Sequence, residues 1–171
     1  KKTRRDEPAT DLEALAAGLA ASNPNRNQFL LDNLDIPAVI NYLAAGTISQ
    51  DFDRTVKNWY LYRDTNGTGL WQIFPWDKDL TFGLRGLTSD YVSGSDDING
   101  GISHPLFGTP AYNCCGVNVL FDAVYSNPVT REMYVRRLRT LMDELLQAPT
   151  TPVNQRFYEQ RIDALQAQLQ A

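Results

Sequence analysis

The chain has 171 residues, 43% of them hydrophobic and 21% charged, with a formal net charge of −4. That balance suits one globular domain with a real core, and it excludes a chain that is disordered throughout. The mild acidity offers no broad electrostatic footprint for DNA or RNA, despite a local basic strip at Arg131, Arg136, Arg137 and Arg139, and no apolar run approaches the roughly 20 residues that a membrane-spanning helix needs.

Lys1-Lys2-Thr3-Arg4-Arg5 is read as a solvated run leading into the first helix. Thr10 or Asp11 is placed to cap that helix, in which Leu12, Leu15, Ala16 and Leu19 recur at helical spacing as far as Ala21, and Ser22-Asn23-Pro24-Asn25 ends it. A second helix begins near Asp35 with Pro37 in its first turn. Ile36, Val39, Ile40 and Leu43 share one face, and Gly46 is expected to stop or fray it. Its end leads through Ile48–Phe52 to Asp53.

Two strands follow. Asn58–Arg63 and Leu70–Trp76 are rich in aromatic and β-branched residues, and Asp64-Thr65-Asn66-Gly67-Thr68-Gly69 between them is turn chemistry, which predicts an antiparallel hairpin. Trp59 and Leu61 would face one side and Tyr60 and Tyr62 the other, so neither face is polar and both are expected to be covered. Asp53 and Asn58 precede the first strand, and Asp77 and Asp79 follow the second. An antiparallel hairpin brings those two points to the same open end. Three carboxylates and an amide gathered there repel one another unless a cation intervenes, and hard oxygen ligands favour Mg²⁺ or Ca²⁺ over zinc. The Asp53-x₄-Asn58 spacing is that of the protein-kinase catalytic loop, in which the Asp accepts the proton of the substrate hydroxyl and the Asn holds a metal ion.

Beyond Gly83 the composition changes to a glycine-rich connection from about Leu84 to Tyr112, either an activation- or substrate-loop counterpart or a surface excursion. Asp90, Asp96 and Asp97 within it are read as solvated acids. His104 is the only histidine, which excludes a multi-histidine metal site. Cys114 and Cys115 are adjacent, so they are poorly placed to pair with each other. The C-terminal third reads as helical: Val117, Leu120, Phe121 and Val124 up to Asn127-Pro128, then Tyr134, Leu138, Leu141 and Leu145. After the break at Pro149-Thr150-Thr151-Pro152, Thr151 is placed to cap a last helix carrying Phe157, Ile162, Leu165 and Leu169.

Asp53…Asn58-Trp59-Tyr60-Leu61-Tyr62, followed by Ile73-Phe74-Pro75-Trp76-Asp77-Lys78-Asp79-Leu80-Thr81-Phe82-Gly83, resembles the spore-coat CotH kinase family, and the second block is the specific part. The resemblance extends more loosely over Leu30–Leu43 and Asn118–Leu146. It implies an α+β fold, a mostly helical kinase-like C-lobe around a central antiparallel β-hairpin, with residues 1–171 as a single domain whose upstream lobe lies outside this chain. It further implies an atypical protein kinase that uses ATP with Mg²⁺ or Mn²⁺ and transfers phosphate to a Ser or Thr hydroxyl of a protein substrate. In that frame Asp77 coordinates the metal that bridges the phosphates and Asn58 shares it. Asp79 is a second ligand, and Asp53 orients or deprotonates the acceptor. The family also implies a cell-surface, spore-coat or secreted location. One departure is Arg54-Thr55-Val56-Lys57 after Asp53, where the family often has an Asp-Arg-His or Asp-Gly-His run with paired asparagines. A catalytically inactive structural or binding module is the alternative, and Ca²⁺ held by Asp64 and Asn66 is a third reading that lacks the twelve-residue ligand loop.

Overall fold

A computed structural model describes residues 5–51, 54–55, 57–79, 81–82, 106–107 and 118–170. Among them are six α-helices and one two-stranded sheet: α1 (Thr10–Leu19), α2 (Arg26–Asn33), α3 (Ile36–Ile48), β1 (Trp59–Arg63), β2 (Trp71–Pro75), α4 (Val119–Ser126), α5 (Pro128–Leu141) and α6 (Phe157–Leu169). The α+β expectation holds, with helices packed against one face of an antiparallel hairpin whose register pairs Trp59 with Pro75 and Arg63 with Trp71.

α3 is the axis. Asp35 caps it by accepting from the backbone amide of Ala38 (3.1 Å), and Pro37 sits in the first turn where its missing N–H costs nothing. The same Asp35 accepts from the Gln72 side chain (3.1 Å), and its amide donates to the Trp71 carbonyl (2.9 Å), so the start of α3 is fastened to the start of β2. Val39, Ile40 and Leu43 are buried in one cluster with Phe121 and Val124 of α4, Tyr134 and Leu138 of α5, and Trp71 and Ile73 of the sheet. Each large apolar side chain buried this way contributes roughly 1.5–3 kcal/mol.

Gly46 does not end α3. The helix continues to Ile48, and Gly46 is buried because a Cβ there would lie 3.1 Å from Cβ of Arg54 and 3.3 Å from its Cδ. A position that reads as a helix stop is a close approach between the helix and the segment after it. Arg54 is fully buried. Its charge lies near the Tyr125 and Tyr134 hydroxyls and pulls their pKa values down, but burial outweighs it and holds both above the ordinary tyrosine range.

Other expectations are corrected in detail. α1 begins after Ala9 without a side-chain cap, and the break expected at Ser22–Asn25 is followed by a short helix, α2, that the reading of the sequence does not separate from the next one. α4 is capped by Asn118 and α5 by Asn127, each side chain accepting two backbone amides. Thr151 does not cap α6, which starts six residues later at Phe157. None of the residues of α6 is buried, so this helix is not core scaffold. The hairpin is covered on one face only. Trp59 and Leu61 pack on the core, whereas Tyr62, Phe74 and Trp76 of the other face are 49%, 47% and 59% exposed.

Within the glycine-rich connection, residues 106–107 are described. The Tyr134 hydroxyl donates to the Leu106 carbonyl (2.6 Å), and Phe107 meets the rings of Tyr125 and Tyr134 under the Arg131 guanidinium (4.3 Å). Lys1, Lys2, Asp90, Asp96, Asp97, His104, Cys114 and Cys115 lie outside the described residues. Among those described, no helix is long and apolar enough to cross a membrane.

Candidate functional site

The hairpin delivers Asn58 and Asp77 to the same end, as the pairing of antiparallel strands requires. The Asn58 side-chain amide donates to the Asp77 carbonyl (3.0 Å), and the Trp76 amide donates to the Asn58 carbonyl (3.0 Å), which closes the open end of the ladder. Both residues take positive φ, +61° for Asn58 and +52° for Asp77. Asparagine and aspartate adopt that region more readily than other side-chain-bearing residues. Gln50 (+51°) and Phe82 (+52°), which tolerate it less well, flank the same region, and the Phe82 amide donates to the Ser49 carbonyl (2.6 Å). Backbone held in sparsely populated conformations at four points around one site is characteristic of a place where geometry matters more than local comfort.

The Asp77 and Asp79 carboxylates are exposed, and Asn58 is half-buried. Asp53 lies outside the described residues. Asp64 is committed elsewhere: its carboxylate accepts from the amides of Asn66 (3.0 Å) and Gly67 (3.1 Å) and shapes the hairpin turn. Among the described residues no group of three or more His, Cys, Asp or Glu is placed to hold a metal ion. Two carboxylates and an amide fall short of the six to eight oxygens that a protein cage gives Ca²⁺. They do suit Mg²⁺, which is commonly held by one or two carboxylates while phosphate oxygens and water complete its shell. The donor set therefore fits a cation that arrives with phosphate groups.

Three residues of this region, Lys78, Asp51 and Tyr42, have no role in the reading of the sequence. Lys78, between the two acids, places Nζ 2.8 Å from Oδ2 of Asp51 and 3.1 Å from the Tyr42 hydroxyl, with the ammonium over the Tyr42 ring at 5.1 Å. The Tyr42 hydroxyl donates to the Arg54 carbonyl (2.6 Å). Asp51 is 2% exposed, so its charge is tolerated because the lysine meets it. A cleft of about 350 Å³ opens beside this cluster between the C-terminal half of α3 and the segment leaving β2, with Gly46, Ser49, Pro75 and Thr81 among its walls. The available signal in the sequence was the second acid, Asp51, just ahead of Asp53, together with a lone cation between two exposed acids.

The outer face of the hairpin adjoins this end. Tyr60 and Trp76 pack at 5.6 Å and Tyr62 and Phe74 at 6.1 Å, a row of four rings that begins beside Asn58 and Asp77.

The motif blocks led one to expect the CotH kinase family, and comparison with known proteins agrees on the family. The model of the family described as "CotH kinase protein" matches residues 1–171. The chain belongs to the CotH kinase protein family. Among curated proteins, this CotH-family chain is similar to "Inner spore coat protein H" of Bacillus subtilis (strain 168), with 34% identity over 64 residues. That match covers 35% of the chain and 17% of the relative's own length. No solved structure matches the chain.

Proposed function

We propose that the intact protein carrying this chain is a CotH-type protein kinase that transfers the terminal phosphoryl group of ATP to a Ser or Thr hydroxyl of a protein, and that this chain supplies the metal-binding and acceptor-activating half of the site. The observation that carries the reading is the Asn58–Asp77 pairing at the hairpin end, with Asp77 exposed and a second exposed acid, Asp79, two residues on. Asp77 and Asn58 would hold Mg²⁺ or Mn²⁺, with Asp79 as a further ligand, and the bound cation supplies charge neutralisation for the phosphates. Asp53 accepts the proton from the acceptor hydroxyl. The rings of Tyr60 and Trp76 offer an apolar surface next to the acids, of the kind on which a purine stacks. Positioning and electrostatics together account for the catalysis expected of such a site.

The name of the relative favours a second reading, a coat protein that keeps the scaffold without the chemistry. Association with a spore coat is compatible with both. Isothermal titration of the intact protein with ATP separates them: the kinase reading expects binding that appears with Mg²⁺ and disappears with chelator. Absence of metal-dependent nucleotide binding in the folded intact protein would leave the coat-module reading.

A further inference from the structure

Lys78 stands between the two exposed acids, yet its ammonium is turned away from solvent into the Asp51–Tyr42 cluster. One side of that cluster is the segment that surrounds Asp53: Asp51 precedes it by two residues, and Arg54, whose carbonyl accepts from the Tyr42 hydroxyl, follows it. The other side is the segment that carries Asp77 and Asp79. The Lys78 side chain is 22% exposed and the Asp51 side chain 3%, so the ion pair is held out of bulk water, where it is weakly screened and directional.

We propose that Lys78 is a positioning residue, which acts through Asp51 and Tyr42 to hold the metal-ligand segment Asp77–Asp79 against the end of α3. This rests on the kinase reading given above. Two consequences follow from the geometry. The latch fixes the ligand segment to the end of α3, so its loss should loosen ligand geometry and not merely the fold. Asp51 also sequesters the lysine charge. Without Asp51, an ammonium one residue from each acid becomes an internal competitor for the carboxylates that would hold the cation.

The test is titration of the intact protein with MgATP, with MnATP as the second probe, for wild type and for Lys78→Met, Lys78→Arg, Asp51→Asn and the Asp51→Asn/Lys78→Met double variant, each with its melting temperature. Residues that orient metal ligands from behind typically change metal affinity about 10–100-fold when removed. Lys78→Met and Asp51→Asn are expected to weaken binding by that range, and Lys78→Arg to lose less than Lys78→Met because it keeps the charge, though not the compact ammonium that fits over the Tyr42 ring. The double variant removes both charges of the buried pair, so it avoids a stranded ion. It should bind more tightly than Asp51→Asn alone when both are titrated well below their melting temperatures. A purely structural role, in which relief of the stranded ion shows as a recovered melting temperature, leaves the two affinities equal. Wild-type affinity in Lys78→Met, or a double variant no better than Asp51→Asn, would overturn the proposal while leaving the kinase reading intact. A wild-type protein that binds no metal–nucleotide complex would overturn both.

Discussion

Replacing Asp77 with alanine in the intact protein is expected to abolish metal-dependent ATP binding and turnover while the fold survives. The carboxylate is exposed and no core contact depends on it, so removal of its oxygens should cost little stability. The effect on the site should be large. Among the described residues no cluster of three acidic or metal-ligating side chains is available to compensate. The backbone carbonyl of Asp77 remains as acceptor for Asn58, so a loss of function without a loss of melting temperature would point to the carboxylate itself. Alanine at a position with φ +52° adds some local strain. The Asp77→Asn variant controls for this, since asparagine tolerates that region and still lacks the charge. Calorimetric titration and ATP consumption check the result, and unchanged turnover in both variants would sink the assignment.

The second large effect is on stability. Arg26 threads between α1, α2 and α4: its Nε donates to the Leu19 carbonyl (2.6 Å), its Nη1 to the Ser126 hydroxyl (3.2 Å), and its Nη2 to the Val119 carbonyl (3.3 Å) and the Asp122 carboxylate (2.5 Å). It therefore satisfies a carbonyl at the end of α1 while joining helices about one hundred residues apart in the chain. Asp122 is 44% exposed at its side chain, so the ionic part of the pair is discounted for solvent screening. Most of the effect comes from the charged hydrogen bonds to backbone carbonyls and from the packed stem. Arg26→Ala is expected to lower the unfolding free energy by about 2–4 kcal/mol, a shift of the melting temperature on the order of 10 °C. Urea unfolding measures it. A midpoint within error of wild type would show that these contacts are surface decoration.

These two residues also show what the amino-acid pattern could and could not convey. The hairpin was legible because alternating aromatic strands around Asp64–Gly69 permit few other structures, and antiparallel pairing then dictates that Asn58 and Asp77 meet. Asp35 and Pro37 announced the start of α3 through local chemistry alone. What failed was whatever depended on distant partners. Gly46 looked like a helix stop because glycine is a poor helix former, and only the approach of Arg54 explains why glycine is needed inside the helix. The outer face of the hairpin looked like core because Tyr62, Phe74 and Trp76 are aromatic, and aromatic rings serve exposed binding surfaces as readily as interiors. Lys78 carries no local signal of its role, since nothing near it in the chain reveals that Asp51 and Tyr42 reach it from the end of α3. Arg26 gave no signal, because its partners lie seven to one hundred residues away.

The central claim is that the site at the hairpin end moves a phosphoryl group. Its most direct test is incorporation of labelled phosphate from ATP into the intact protein or a coat-protein acceptor, with Mg²⁺ or Mn²⁺, for wild type and Asp53→Ala. The account predicts chelator-sensitive incorporation into Ser or Thr by the wild type and a rate lower by roughly 10²–10⁴ in the variant, the range expected when a general base is removed. Equal incorporation by the two proteins would contradict the role given to Asp53, and absence of incorporation by a folded wild type that still binds its partners would contradict the kinase account itself.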